Sequence, residues 1–248
     1  MPLDPQAKAF LDKLNEMEMP ALKDLSLEQI RKLPAPISGE VEAVAKTENR
    51  TVPGVDGNEI SIRIYWPDGW SESSEPAPGF VVFHGGGWVM GTLDLYDSLA
   101  RQFANAGDCV VISVDYRMAP ENRYPAAAED CHSVTEFVSQ NAPSLGIDPK
   151  RIFVGGDSAG GNLAAVVALM ARDRSSVQIA GQVLVYPISD CDFDTASYRE
   201  NSEGFFLTRA SMIWFWDQYA PEKADREHPY ASPLKAKSLA GLPPAWVM

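Results

Sequence analysis

Between residues 80 and 186 the chain alternates short apolar runs with helical stretches. The runs are Phe80–Phe83, Cys109–Val114, Ile152–Val154 and Gln182–Tyr186, each read as a strand buried on both faces. Helical stretches at roughly 95–106, 126–141 and 159–173 separate them. This alternation predicts right-handed crossovers and an α/β fold, a mostly parallel sheet with helices on both faces. Upstream, Val41–Lys46 and Glu59–Tyr65 alternate apolar residues around a Val55-Asp56-Gly57-Asn58 turn, which predicts an antiparallel pair. Residues 1–40 read as two short helices. Phe10, Leu11, Leu14 and Met17 share one face of the first, Ser26-Leu27-Glu28-Gln29 forms a capping box for the second, and Pro34 and Pro36 close it.

Composition narrows the class. The chain has 248 residues, 45% hydrophobic and 22% charged, with a net charge of −13; it reads as one large globular domain, or one with an appendage. The acidic balance repels phosphate, so neither a nucleic-acid partner nor docking on an anionic membrane is expected. Cys109, Cys131 and Cys191 lie far apart and show no zinc spacing, so neither a metal site nor a disulfide framework is expected. Unpaired thiols fit a reducing cytoplasm, the expected location. The N-terminus has neither the basic nor the apolar region of a secretory signal, and no stretch has the length and apolarity of a membrane span.

Two glycine-rich motifs carry chemistry. Gly156-Asp157-Ser158-Ala159-Gly160 directly follows the Ile152–Val154 run and directly precedes an alanine-rich helix. A serine at such a strand–helix turn is a nucleophile elbow: the turn is tight, and side chains two positions to either side would collide with neighbouring backbone. His84-Gly85-Gly86-Gly87 directly follows the Phe80–Phe83 run. Consecutive glycines let amides turn into a site that must hold an oxyanion, and Ala159, the residue after the serine, supplies a further amide. A phosphate-binding reading lacks the lysine and the spacing it needs. His84 precedes the elbow in the chain, so it reads as a loop-stabilising residue rather than the general base.

His84-Gly-Gly-Gly-Trp88, Asp115-Tyr-Arg-Met-Ala-Pro-Glu121, Tyr124-Pro-Ala-Ala-Ala-Glu-Asp130, Gly156-Asp-Ser-Ala-Gly-Gly-Asn162 and Tyr230-Ala-Ser-Pro233, in this order, resemble the hormone-sensitive-lipase-like family of α/β-hydrolase carboxylesterases. The resemblance implies the α/β-hydrolase fold with a cap over the site. It implies Ser158 as nucleophile and Gly85, Gly86 and Ala159 as oxyanion donors, with Gly87 the alternative. His84, Gly87 and Asp157 support the motifs. No metal and no cofactor are expected, and the expected partner is a small-molecule ester. The expected organisation is an N-terminal helical cap arm at 1–40, a hydrolase core at 41–197, a cap insertion at 198–225 with a helical, aromatic-rich patch over 198–220, and further core at 226–248.

A serine esterase also needs a base and an acid, in the chain order Ser, Asp or Glu, His. His228 is the one histidine after Ser158, and it precedes the strand that opens near Pro244, two sheet positions too early. His132 precedes the serine and reads as packed structure. Asp190, Asp192, Asp194, Asp217 and Asp225 cluster around the cap insertion, also too early. The expectation is therefore that the acid and histidine lie beyond Met248. Ala245-Trp246-Val247-Met248 reads as the opening of a buried parallel strand, with roughly 60 residues to follow at about 30 per strand–helix unit. The leading function is a serine carboxylesterase for short- to medium-chain esters, with little or no activity expected of this chain alone. The competing readings are a non-catalytic small-molecule binder and an amide or formamide hydrolase on the same fold.

Overall fold

The computed structural model describes residues 3–16, 20–33 and 41–248. The β-branched runs become strands β1 (Lys46–Pro53), β2 (Glu59–Trp66), β3 (Ala77–Phe83), β4 (Val110–Asp115), β5 (Ile147–Asp157), β6 (Gly181–Val185) and β7 (Ala245–Val247). They form one sheet in the order β1-β2-β4-β3-β5-β6-β7. β2 pairs antiparallel with β1 and β4, and the pairs from β4 to β7 are all parallel. The predicted fold class therefore stands.

Helices α1 (Pro5–Glu16) and α2 (Leu27–Arg31) precede the sheet. α3 (Asp97–Gly107), α4 (Ala126–Asn141) and α5 (Ala159–Arg174) are the crossovers between parallel strands. α5 is buried from Ala159 to Ala171 except at Ala165, which a run of glycine, alanine and valine permits because it lets sheet and α4 approach closely. α6 (Ala196–Glu200), α7 (Arg209–Tyr219) and α8 (Lys223–Arg226) follow β6.

Four expectations need correction or completion. The first strand starts at Lys46, not Val41. The Gly54–Asn58 turn, closed by Gly54 N–H on the Asn58 carbonyl at 2.7 Å, sets the register Lys46↔Trp66 to Pro53↔Glu59, and this places the polar stretch rather than the apolar one opposite β2. The patch over 198–220 is not one helix. Gly204 and Phe206 adopt φ of 80° and 64°, and Thr208 caps a new helix by accepting from Ser211 N–H at 3.0 Å; Phe205, Phe206 and Leu207 are exposed between the two. On α1, Leu11 and Leu14 are half-buried while Phe10 is exposed, so the stripe packs only in part; Met17, Pro34 and Pro36 lie outside the described residues. β7 pairs parallel with β6 as expected, with Trp246 and Val247 exposed on the sheet edge. The Ser26–Gln29 capping box forms with both reciprocal bonds.

Candidate active site

β3 and β5 are neighbours, with Phe83 opposite Gly156, so the glycine loop after β3 and the elbow after β5 leave the sheet side by side. Ser158 sits between Asp157, the end of β5, and Ala159, the start of α5, with φ 53° and ψ −115°. A serine held there stores strain, and the surroundings maintain it. Ser158 N–H donates to the Val185 carbonyl at 2.9 Å, while the Ser158 carbonyl accepts from Asn162 at 3.0 Å and Ile188 at 3.2 Å. A Cβ at either Gly156 or Gly160 would run into the Phe83 carbonyl oxygen, a backbone atom that cannot move aside. Asn162, fully buried, ties α5 to the Ile188 and Ala231 carbonyls at 2.6 and 2.9 Å. Among the described residues, nothing hydrogen-bonds the Ser158 hydroxyl.

The glycine loop is oriented one peptide plane at a time. In a trans peptide the carbonyl and the next residue's N–H point opposite ways, so a partner on the carbonyl fixes where the amide looks. Tyr116 Oη donates to the His84 carbonyl at 2.7 Å. The Gly85 N–H is thereby turned to Tyr96 Oη at 2.8 Å and Asp157 Oδ1 at 3.1 Å. His84 Nδ1 bonds the Gly85 carbonyl at 2.8 Å, turning the Gly86 N–H the other way. The Gly86 carbonyl accepts from Val89 N–H at 3.1 Å and Met90 N–H at 3.0 Å, which does the same for Gly87. Gly86 and Gly87 need their φ of 111° and 59° for this course. Their amides have no partner among the described residues, and neither does that of Ala159. Of the amides expected to face the site, that of Gly85 is engaged by Asp157 and Tyr96, while those of Gly86 and Ala159, and of the alternative Gly87, are left open.

Burial sets the electrostatics. It pushes His84 down to about 4, and the bond to the Gly85 carbonyl opposes this only in part, so the ring is neutral near pH 7 and cannot serve as a cation. Burial raises the Asp157 carboxyl, opposed by the bonds from Tyr96 and Gly85. Tyr96 donates to Asp157 Oδ2 at 3.1 Å, and burial with the Asp157 charge keeps its phenol protonated. Aromatic side chains of α7 press on the loop from outside. Trp88 stacks on Tyr219 with ring centres 4.2 Å apart, Trp216 meets Trp88 edge-on at 5.0 Å, and the Phe215 ring fills the space a Gly87 side chain would need.

The other histidines stand apart from these contacts. His228 is exposed; its Nδ1 lies 2.8 Å from Tyr124 Oη and 3.1 Å from Tyr230 N. His132 is buried on α4 with Nε2 2.9 Å from Ser176 Oγ. Asp190 lies 3.6 Å from Lys235, and Asp194 and Asp217 pair with Arg209 and Arg226. Sequence reasoning missed Tyr96, Tyr116 and Arg31 as parts of the loop's support. Tyr116 and Glu121, the partner of Arg31, lay in a recognised motif, while Tyr96 and Arg31 lay in none.

The profile of the alpha/beta hydrolase fold family matches residues 80–248. The chain belongs to this family, in its hormone-sensitive-lipase-like branch. It is 36% identical to Carboxylesterase NlhH of Mycobacterium tuberculosis over 99% of this chain and 76% of that protein. Among solved structures, a thermostable esterase from Pseudomonas putida ECU1011 superposes with a TM-score of 0.92 at 35% identity, covering 99% of this chain and 77% of that one. The hyperthermophilic esterase of Pyrobaculum calidifontis does so with 0.88 at 38% identity, covering 100% and 79%.

Proposed function

We propose that the chain carries the acyl-transfer site of a carboxylic ester hydrolase. Ser158 attacks the ester carbonyl, and the oxyanion is held by the amides of Gly86, Gly87 and Ala159. The observation that carries this reading is the strained Ser158 backbone at the N-terminus of α5, beside a loop whose two inner amides are left unpartnered. Donors fixed before the reaction stabilise developing charge at no cost of reorganisation, which is the largest lever available to acyl transfer. Segments 1–40 and 198–225 form the cap in this reading, supported by the bond from Asn15 Nδ2 to the Gly204 carbonyl at 3.2 Å and by the aromatic stack on Trp88. The aromatic cap suits short to medium apolar acyl groups. Three free thiols, two of them buried, fit a reducing compartment.

One observation favours a second reading, a small-molecule binder: among the described residues no base contacts the Ser158 hydroxyl. A single experiment separates the two. A nitrophenyl phosphonate is expected to release nitrophenolate and leave one phosphonyl group on Ser158, read by intact mass, and Ser158→Ala is expected to abolish both signals. Binding of the probe without a covalent adduct would favour the binder; labelling at another residue would sink the assignment. With no base on the serine, this labelling is expected to be slow, and steady-state turnover of nitrophenyl acetate by the 248-residue polypeptide should not exceed the residual left by oxyanion and binding contacts, on the order of 10³–10⁴ over water.

A further inference from the structure

We propose that Arg31, on the helix ahead of the sheet, is a positioning residue for the oxyanion site. The inference rests on the acyl-transfer reading above and concerns how the Gly87 amide is aimed. Arg31 closes α2, next to the fully buried Ile30. Its Nε donates to the Val89 carbonyl at 3.0 Å and its Nη2 to the Ala119 carbonyl at 3.2 Å. Nη1 and Nη2 grip the two Glu121 oxygens at 2.8 and 2.7 Å.

These bonds head a continuous chain. The peptide unit whose carbonyl Arg31 holds, Val89–Met90, donates its N–H to the Gly86 carbonyl at 3.0 Å. The next unit, Gly86–Gly87, presents the Gly87 N–H. A parallel route reaches the same carbonyl. Ala119 N–H donates to the Trp88 carbonyl at 2.9 Å, and the amide of that unit, Val89 N–H, donates to Gly86 O at 3.1 Å. Arg31 joins the first route directly through Val89 O; on the second it anchors residue 119 from the adjoining Ala119–Pro120 unit, whose carbonyl it holds. Hydrogen-bonded peptides in series polarise one another in one sense, so a guanidinium at the tail strengthens the donor at the head. A planar fork is required: lysine offers a point charge and cannot hold two carbonyls and a carboxylate in one plane. The Glu121 carboxylate is half-exposed, and such a pair contributes little stability by itself. The two carbonyl bonds, not this pair, connect Arg31 to the loop.

Single-turnover acylation by nitrophenyl acetate, followed by nitrophenolate release, separates the limiting rate from the half-saturating concentration. In Arg31→Lys and Arg31→Ala the limiting rate is expected to fall about tenfold with half-saturation within about twofold, as a small misplacement of a reacting group produces. Ethylguanidinium should restore several-fold of the rate in Arg31→Ala. Glu121→Gln keeps both carbonyl bonds and should leave the melting temperature nearly unchanged and the limiting rate within about twofold. An unchanged rate in Arg31→Lys, a change confined to half-saturation, or an equal rate loss in Glu121→Gln would overturn the proposal. Should Arg31→Ala fail to fold, Arg31→Lys decides. If the unsubstituted chain acylates nowhere, the acyl-transfer reading fails; if it acylates at Ser158 and the Arg31 variants match it, only the role of Arg31 fails.

Discussion

The elbow and the glycine loop form two halves of one site, and they are held in different ways. The elbow is held by exclusion: backbone packs so closely around Gly156 and Gly160 that the serine has one course to follow. The loop is held by attachment. Tyr116, His84, Tyr96, Asp157 and, through Val89, Arg31 each fix one peptide plane. A steric constraint acts as all or nothing, whereas hydrogen bonds can be removed one at a time. The two halves should therefore fail differently.

The largest expected effect is at the elbow. Gly160→Ala drives a Cβ into the Phe83 carbonyl and should cost about 3 kcal/mol or more, read as a lower urea midpoint with loss of Ser158 labelling. A folded, fully labelled variant would show that the elbow is not held by exclusion. Next comes the loop's histidine. The folded form of His84 resists protonation, so the native state binds fewer protons than the unfolded one and stability rises with pH. Full stability is present above the unfolded value near 6.5 and is lost as pH falls toward about 4, a loss of about 3 kcal/mol over that window. His132 titrates in the same direction, so the readout is the difference between the wild type and His84→Asn in urea titrations from pH 7 to 4; parallel curves would refute it. The smallest effect is expected from Tyr116→Phe. It leaves the buried His84 carbonyl without its donor and should cost about 1–3 kcal/mol. Its acylation rate should fall while half-saturation holds, and an equal change in both would place Tyr116 outside the loop's aiming system.

The same contrast explains what was legible in the sequence. The elbow needs a strand, five residues and a helix, all contiguous, so Ser158 could be placed from residues 152–173 alone. The loop was visible as a motif, but its donors were not. The Gly85 amide looks away from the other two because Tyr116, 32 positions on, holds the carbonyl before it, and no local pattern encodes that. The fold class followed from the alternation, since buried parallel strands carry their burial in their composition. β1 did not follow, because its partner is set by a turn and its own sequence, Lys-Thr-Glu-Asn-Arg-Thr-Val-Pro, buries only Val52. The 198–220 patch broke where Gly204 and the Thr208 cap separate two groups of large apolar residues that share helical spacing.

The pairing of Phe83 with Gly156 makes the sheet a caliper for the site. Deleting one residue from β3 or β5 would retract one jaw by about 3.3 Å and turn its side chains to the opposite face. No adjustment of the loops beyond could restore both the reach and the facing. Length changes are tolerable only at the other end of these strands, in the polar bend at 67–76 that feeds β3, where residues can be added without moving the jaws. For anyone grafting or shuffling segments of this scaffold, safe junctions lie on that side of the sheet.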